Sequence, residues 1–269
     1  MPVPEGAVGI LTGASRGIGV VLAEHLARAG VRLALVARSE DGLRAAAERA
    51  AAHGPRPLVV PADVAEEEDQ RRVVRVVAEA LGPPSLLVNN AGVERIARFQ
   101  DVSLDDIRRV VLVNLVAAQS LTRLVLPHLL AAGEGHVVNV GSVAGRTAYP
   151  YGALNSAAKH GLVGFTWSLR EELRGTGVGV SAVYPALVAE VGISSRWQAK
   201  RPVLLGRVPP EAVARAVVRC IREDRVEITV APPLERVADV VSAVSPRLAS
   251  WVARRVGVAR YLREVAEEG

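Results

Sequence analysis

Thr12-Gly13-Ala14-Ser15-Arg16-Gly17-Ile18-Gly19 decides how the rest of this chain reads. It follows an apolar run at residues 7–11 and leads into an amphipathic stretch at 18–29, so three glycines stand at a strand-to-helix turn. Glycines there let the main chain turn tightly and approach a pyrophosphate. The helix behind them offers unpaired N–H groups and the positive end of its dipole. The glycine spacing alone is common, and its place at the first strand–helix crossover is what points to a dinucleotide.

Outward from that turn, short apolar runs alternate with longer helical patterns. Residues 7–11, 32–37, 58–61, 86–89, 136–141 and 179–184 read as strands, and 18–29, 43–53, 69–81, 105–130 and 155–174 as helices. Strands apolar on both faces, separated by amphipathic helices, imply a parallel sheet covered on both sides with right-handed crossovers. The expected architecture is a single α/β domain over residues 1–269, a doubly wound Rossmann fold. Two segments break the alternation. Residues 186–210 have no clear period and carry Gly192, Pro202, Gly206, Pro209 and Pro210, which suits a lid over a binding site. Residues 234–269 read as a helical tail, 237–244 and 248–256, split at Ser245-Pro246, with Arg247, Arg254, Arg255, Arg260 and Arg263 among apolar residues. Such a tail fits a packed helix with snorkelling arginines, an interface element, a cover for an apolar cleft, or a membrane-surface helix.

Half of the 269 residues are hydrophobic and 3% are aromatic, so Val, Leu, Ile and Ala carry the packing. The formal charge of +5 is scattered over helical segments without aromatic interleaving. That pattern points away from nucleic acid and toward an anionic cofactor and solvated faces. Of 33 cationic residues only Lys159 and Lys200 are lysines, and in so arginine-rich a chain a lysine signals a need for a compact charge with a movable pKa. One cysteine, Cys220, rules out an internal disulfide, reads as an inert buried thiol and suits a reducing cytoplasm. The five histidines are dispersed, so no metal site is expected. The N-terminus lacks the basic and apolar regions of a signal peptide, and no stretch of about 18 uninterrupted apolar residues marks a spanning helix.

An acidic residue at the end of the second strand bonds the ribose of NAD. Here that strand ends in Ala37-Arg38-Ser39. Arg38, with Arg16 approaching from the glycine loop, suits a 2′-phosphate instead, so NADP(H) is the expected cofactor.

From about residue 7 to 185 these residues resemble the classical short-chain dehydrogenases/reductases. Thr12 to Gly19, with Gly13, Ser15, Arg16, Gly17 and Ile18 between and at its turn, matches the cofactor loop of that family. Asp63-Val64 matches the pair after the third strand whose aspartate contacts adenine. Asn89-Asn90-Ala91-Gly92 matches the segment that supports the sheet beside the cofactor, and Pro185 the proline after the sixth strand. The resemblance makes Asn114 the anchor of a relay water, Ser142 the serine that orients the substrate carbonyl, and Lys159 the lysine that bonds the nicotinamide ribose. The family tyrosine should stand four residues before that lysine; Asn155 stands there, 13 residues after Ser142. Tyr151 lies a further turn back, and Tyr149 further still. The family glycine after Pro185 is Ala186, and its threonine aligns loosely with Glu190, which reads as a solvated lid carboxylate or, turned inward, as a substitute acid.

The resemblance implies a cytoplasmic NADP(H)-dependent oxidoreductase acting on a small, apolar ketone or alcohol. Ser142 and Asn155 would bind the oxygen, while Lys159 and Asn114 would relay protons. Two other readings stay open: a cofactor-binding member without redox turnover, and a non-redox biosynthetic enzyme such as a cyclase or dehydratase. A homodimer or homotetramer pairing through helices 105–130 and 155–174 is expected.

Overall fold

The computed structural model describes residues 6–191, 197–199, 201–202 and 205–268. Parts of the expected lid, Gly192 and Lys200 included, lie outside the described residues. Seven parallel strands form one sheet: β1 (Val8–Thr12), β2 (Arg32–Ala37), β3 (Leu58–Pro61), β4 (Leu86–Asn89), β5 (Gly135–Val140), β6 (Val178–Pro185) and β7 (Glu227–Val230), in the order β3-β2-β1-β4-β5-β6-β7. The expected α/β doubly wound architecture is what the chain adopts. The order reverses between β1 and β4, the switch point at which such sheets bind ligands in a crevice beyond the carboxyl ends of their strands.

Adjacent strand residues point to opposite faces, and both faces are covered. Leu11 and Leu35 pack with α1 (Ile18–Arg28), α2 (Glu40–Ala51) and α7 (Pro210–Glu223). Ile10, Val36 and Val137 pack on the other side with α3 (Glu67–Leu81), α5 (Ala117–Ala132) and α6 (Ala153–Glu172). Leu22 and Leu26 of α1 are fully buried, each contributing about 1.5–3 kcal/mol by removal from water. Cys220 is also fully buried, and burial pushes its thiol up to about 12.

Several boundaries differ from the sequence reading. Strand β1 runs one residue further, to Thr12, whose hydroxyl is held by main chain. The expected helix 105–130 is α4 (Leu104–Val111), a π-helical turn (Leu112–Val116) and α5. Together Leu104–Ala132 spans 29 residues with a mean hydropathy of 1.6 over its most apolar window, yet Val113, Leu121, Val125 and Leu129 face the sheet. Helix α6 begins at Ala153, two residues early, placing Asn155 in its first turn. The tail holds three helices instead of two: α8 (Pro233–Val244), α9 (Pro246–Arg255) and α10 (Val258–Glu268), the last set off by Gly257 at φ 84°.

The tail divides by environment. Tyr261, Leu262 and Val265 of α10 are buried against Leu205, and Trp197 meets Tyr261 edge-on with ring centroids 6.1 Å apart. Leu234, Val237, Val240 and Val244 of α8 and Leu248 and Trp251 of α9 stay exposed. Helix α8 is tied to the body through Asp239, 4% exposed, which accepts from Arg146 Nε; Arg146 also pairs with Glu227 at 2.7 Å.

Candidate active site

The two ends of the crevice are built by different halves of the chain. At the β1–β2–β3 end the glycine loop turns directly out of Thr12. Gly13 has φ 67°, and a Cβ there would meet the Ala91 Cα at 2.8 Å. A Cβ on Gly19 would run into the Gly13 carbonyl. The loop is therefore closed against β4 and against its own helix, with room only for main chain. Thr12 Oγ1 accepts from the N–H groups of Asn90 and Ala91, both at 3.0 Å, and Asn90 Nδ2 donates to the carbonyls of Thr12 at 2.9 Å and Gly13 at 3.3 Å. These bonds lock the loop to the end of β4. Beneath them, Asn89 Nδ2 donates to Asn139 Oδ1 at 2.9 Å and Asn139 Nδ2 to Thr166 Oγ1 at 2.9 Å, a buried polar chain across the centre of the sheet.

Ile18 opens α1 behind the loop, and Arg16 and Arg38 are both exposed at this end. Ser39 Oγ caps α2, accepting from Gly42 N at 3.2 Å. Asp63 lies at the end of β3, where its carboxylate accepts from Ala65 N and from Arg109 Nη2 at 2.9 Å. Burial works to raise that carboxyl, but these bonds and the charges of Arg109 and Arg38 outweigh it and hold it below its usual range. Val64 is buried, and its carbonyl accepts from Gln70 Nε2. An exposed pair of guanidiniums beside a cradle closed to side chains fits a dinucleotide carrying an extra phosphate.

At the β4–β5–β6 end the remaining residues converge. Ser142 follows β5; its Oγ accepts from Ala144 N at 3.1 Å and makes a long contact of 3.4 Å to the Pro185 carbonyl. Lys159 Nζ donates to the Val140 carbonyl at 3.0 Å, which leaves two of its protons for other acceptors. Burial draws the Lys159 ammonium down to about 8, opposed by the charge of Glu94. Asn155 is buried one turn before Lys159, and its Oδ1 accepts from Arg95 N at 3.3 Å. Asn155 Nδ2 lies beside the Glu94 carboxyl but makes no hydrogen bond of good geometry among the described residues.

Asn114 lies in the π-helical turn and is buried. Its side chain is committed to Val93, accepting from Val93 N and donating to Val93 O, both at 2.8 Å. The amide staples the segment after β4, so a water held here would have to bind the main chain of the π turn. Glu190 is exposed, with φ 61°, on the solvent side of the chain. The Tyr151 hydroxyl accepts from Arg263 Nε of α10 at 3.0 Å, and Tyr149 is enclosed among Thr147, Glu235 and Asp239, where burial pushes its phenol up to about 12.

Sequence reasoning missed Glu94. It lies two residues beyond Gly92 and is exposed to solvent, with protein enclosing its carboxyl on the side of Lys159 and Asn155. That enclosure pushes its carboxyl up to about 7, against the pull of Lys159 and then of Asn155. The available signal was the lone carboxylate between Asn89 and Asp101.

Known proteins similar to this chain share its family and fold. The ketoacyl reductase HetN of Nostoc sp. is 35% identical over 263 residues, covering 96% of this chain and 92% of that protein. A 3-oxoacyl-[acyl-carrier-protein] reductase, FabG of Pseudomonas aeruginosa, is 34% identical over 208 residues, 76% of this chain and 83% of that one. Among solved structures, a variant of the actinorhodin polyketide ketoreductase with NADPH has a TM-score of 0.79 at 30% identity, covering 85% of this chain and 97% of that chain. A metagenomic short-chain oxidoreductase in complex with NADP has a TM-score of 0.74 at 30% identity, with 85% and 98% covered. The family model for short chain dehydrogenases matches residues 7–201, and the chain belongs to that family.

Proposed function

We propose that this chain is an NADP(H)-dependent carbonyl reductase or alcohol dehydrogenase for an apolar ketone or alcohol, with a ketoacyl group as the favoured substrate class. The convergence of Ser142, Asn155 and Lys159 at one end of a cradle whose other end presents Arg16 and Arg38 carries the reading. The ketoacyl reductases among its relatives support the substrate class, and the apolar contact of α10 with Trp197 and Leu205 supports an apolar occupant.

In this reading Gly13, Ser15, Gly17 and Gly19 hold the pyrophosphate and Arg16, Arg38 and Ser39 the 2′-phosphate. Asp63 and Val64 flank the adenine, and Asn90, Ala91, Gly92 and Pro185 flank the nicotinamide half. The bound cofactor supplies hydride chemistry. Ser142 would turn its hydroxyl from the long Pro185 contact to the substrate oxygen, and Lys159 would donate its two remaining N–H bonds to ribose hydroxyls. Asn155 stands where the family carries a tyrosine. Its amide N–H can polarise a carbonyl but has no proton to transfer, and loss of a general acid removes roughly 10²–10⁴ in rate. The proton therefore takes another path.

NADPH oxidation with acetoacetyl-CoA and alkyl ketones, compared with Asn155→Tyr, tests the reading. Turnover by this chain with little gain from the tyrosine supports it. Saturable NADPH binding without oxidation by either protein favours a non-redox role. We further place homo-oligomer contacts on the outer faces of α5 and α6, where Leu130 and Trp167 are exposed; light scattering of a Trp167→Glu variant checks this.

A further inference from the structure

Glu94 is held in place by two amides far from it in sequence. Asn114 clamps Val93 through both its N–H and its carbonyl at 2.8 Å, and Asn155 takes the N–H of Arg95. The residue between them is thereby aimed at α6, where it meets Lys159 and the open N–H of Asn155. Asn155 is 5% exposed, and its Nδ2, lacking an acceptor in bonding geometry among the described residues, leaves an N–H to offer a substrate oxygen beside the carboxyl. The neighbouring tyrosines face elsewhere, Tyr151 to Arg263 and Tyr149 to Thr147.

We propose that the Glu94 carboxyl is the general acid that protonates the substrate oxygen in this chain, with Asn155 positioning both. The proposal rests on the reductase reading and supplies its missing proton path. Reduction forms a C–H bond at the carbonyl carbon with hydride from the bound cofactor, and the C=O π pair moves onto oxygen. The Glu94 O–H bond breaks as that oxygen takes the proton, leaving an alcohol and a carboxylate. The carboxylate regains a proton from solvent, to which Glu94 is exposed. A general acid works best when its pKa lies near the working pH, and burial brings Glu94 to about 7. The titratable groups facing it are Lys159 from α6 and the neutral phenol of Tyr261 from α10; on its own segment Arg95 pairs with Asp106 of α4 at 3.6 Å.

The experiment is a four-member cycle of the full chain, Glu94→Gln, Asn155→Tyr and the double variant, each assayed for NADPH oxidation with acetoacetyl-CoA and alkyl ketones and for NADPH binding by fluorescence. Glu94→Gln should lower kcat by about 10²–10⁴-fold, with the NADPH dissociation constant changed by less than about twofold. The parent kcat should fall as pH rises through about 7, and the variant should lose that limb. In the Asn155→Tyr background, where a phenol can supply the proton, the same substitution should cost far less. An unchanged kcat in Glu94→Gln, or an equal loss in both backgrounds, overturns the assignment while leaving the reductase reading in place. NADPH binding without oxidation by both the parent and Asn155→Tyr overturns the reductase reading and the donor with it.

Discussion

Thr12→Val exposes how closely the fold and the cofactor cradle depend on one another. The replacement keeps the shape of the side chain and removes a hydroxyl that is 1% exposed. That hydroxyl accepts two main-chain N–H bonds, from Asn90 and Ala91 at 3.0 Å, and makes a weaker 3.3 Å contact to the Val88 carbonyl. A buried donor left without a partner costs about 1–3 kcal/mol, and Asn90 and Ala91 are only partly buried, so the low end applies to each. The expected loss is about 2–3 kcal/mol. For a domain of this size each kcal/mol moves Tm by about 2–4 °C, giving a fall of about 4–12 °C. The same N–H groups set the distance between the glycine loop and Asn90, so NADPH affinity should weaken alongside stability. Thermal and urea denaturation with fluorescence titration of NADPH measure both. A Tm drop under about 2 °C with unchanged affinity would refute the claim that this hydroxyl locks the loop to β4.

Three further outcomes are expected. Arg38→Asp should weaken NADPH binding by about tenfold to a hundredfold and spare NADH, because a charge-assisted bond to the extra phosphate is lost; equal effects on both nucleotides would place Arg38 outside the site. Gly19→Ala should destabilise by about 1–3 kcal/mol through collision with the Gly13 carbonyl, read by urea melts, and should abolish NADPH binding. Arg146→Ala should cost about 2–4 kcal/mol, below the range for a fully buried pair because Arg146 is 18% and Glu227 30% exposed. Burial already holds Asp239 above its ordinary range despite Arg146, so removing the guanidinium strands a buried carboxylate; limited proteolysis should then release the tail from residue 233 onward.

The sheet was legible because its strands are apolar on both faces and bounded by glycine, and the loop at Gly13 was legible because a strand and a helix frame it. Strand β7 was not, since Glu227–Val230 is three half-buried residues and one buried valine, beginning with a charge. The π turn around Asn114 leaves no mark in a pattern dominated by Val and Leu, for one extra residue per turn disturbs the period too little. Helix α10 was hidden because Gly257, at φ 84°, breaks the helical period just before it. Glu94 was hidden for a different reason. Its segment has no period, and its direction is set by amides 21 and 60 residues away from the main-chain groups they hold. Local sequence carries strand and helix periods; it does not carry contacts of that range.

The Glu94–Lys159 pair also separates a functional site from a structural ion pair by the sign of its effect on stability. In a structural pair, mutual attraction lowers the acid, raises the base, and stabilises the fold most where both are charged. Here both shifts run the other way, because burial outweighs attraction for each partner. Glu94 rises from 4.5 to about 7, so between those values the folded chain holds a proton that the unfolded chain has released. Stability from this group is complete below about pH 4.5 and is lost as pH rises through about 7. Lys159 falls from 10.5 to about 8, so between those values the unfolded chain holds the extra proton, and stability returns as pH rises. The two together predict a shallow minimum between about pH 7 and 8, where the site bears both charges. Thermal melts across this range should show the minimum in the parent, with its acid limb flattened in Glu94→Gln. A maximum there, lost in the variant, would instead mark an ion pair that holds the fold together and would remove the reason to assign the carboxyl a chemical task.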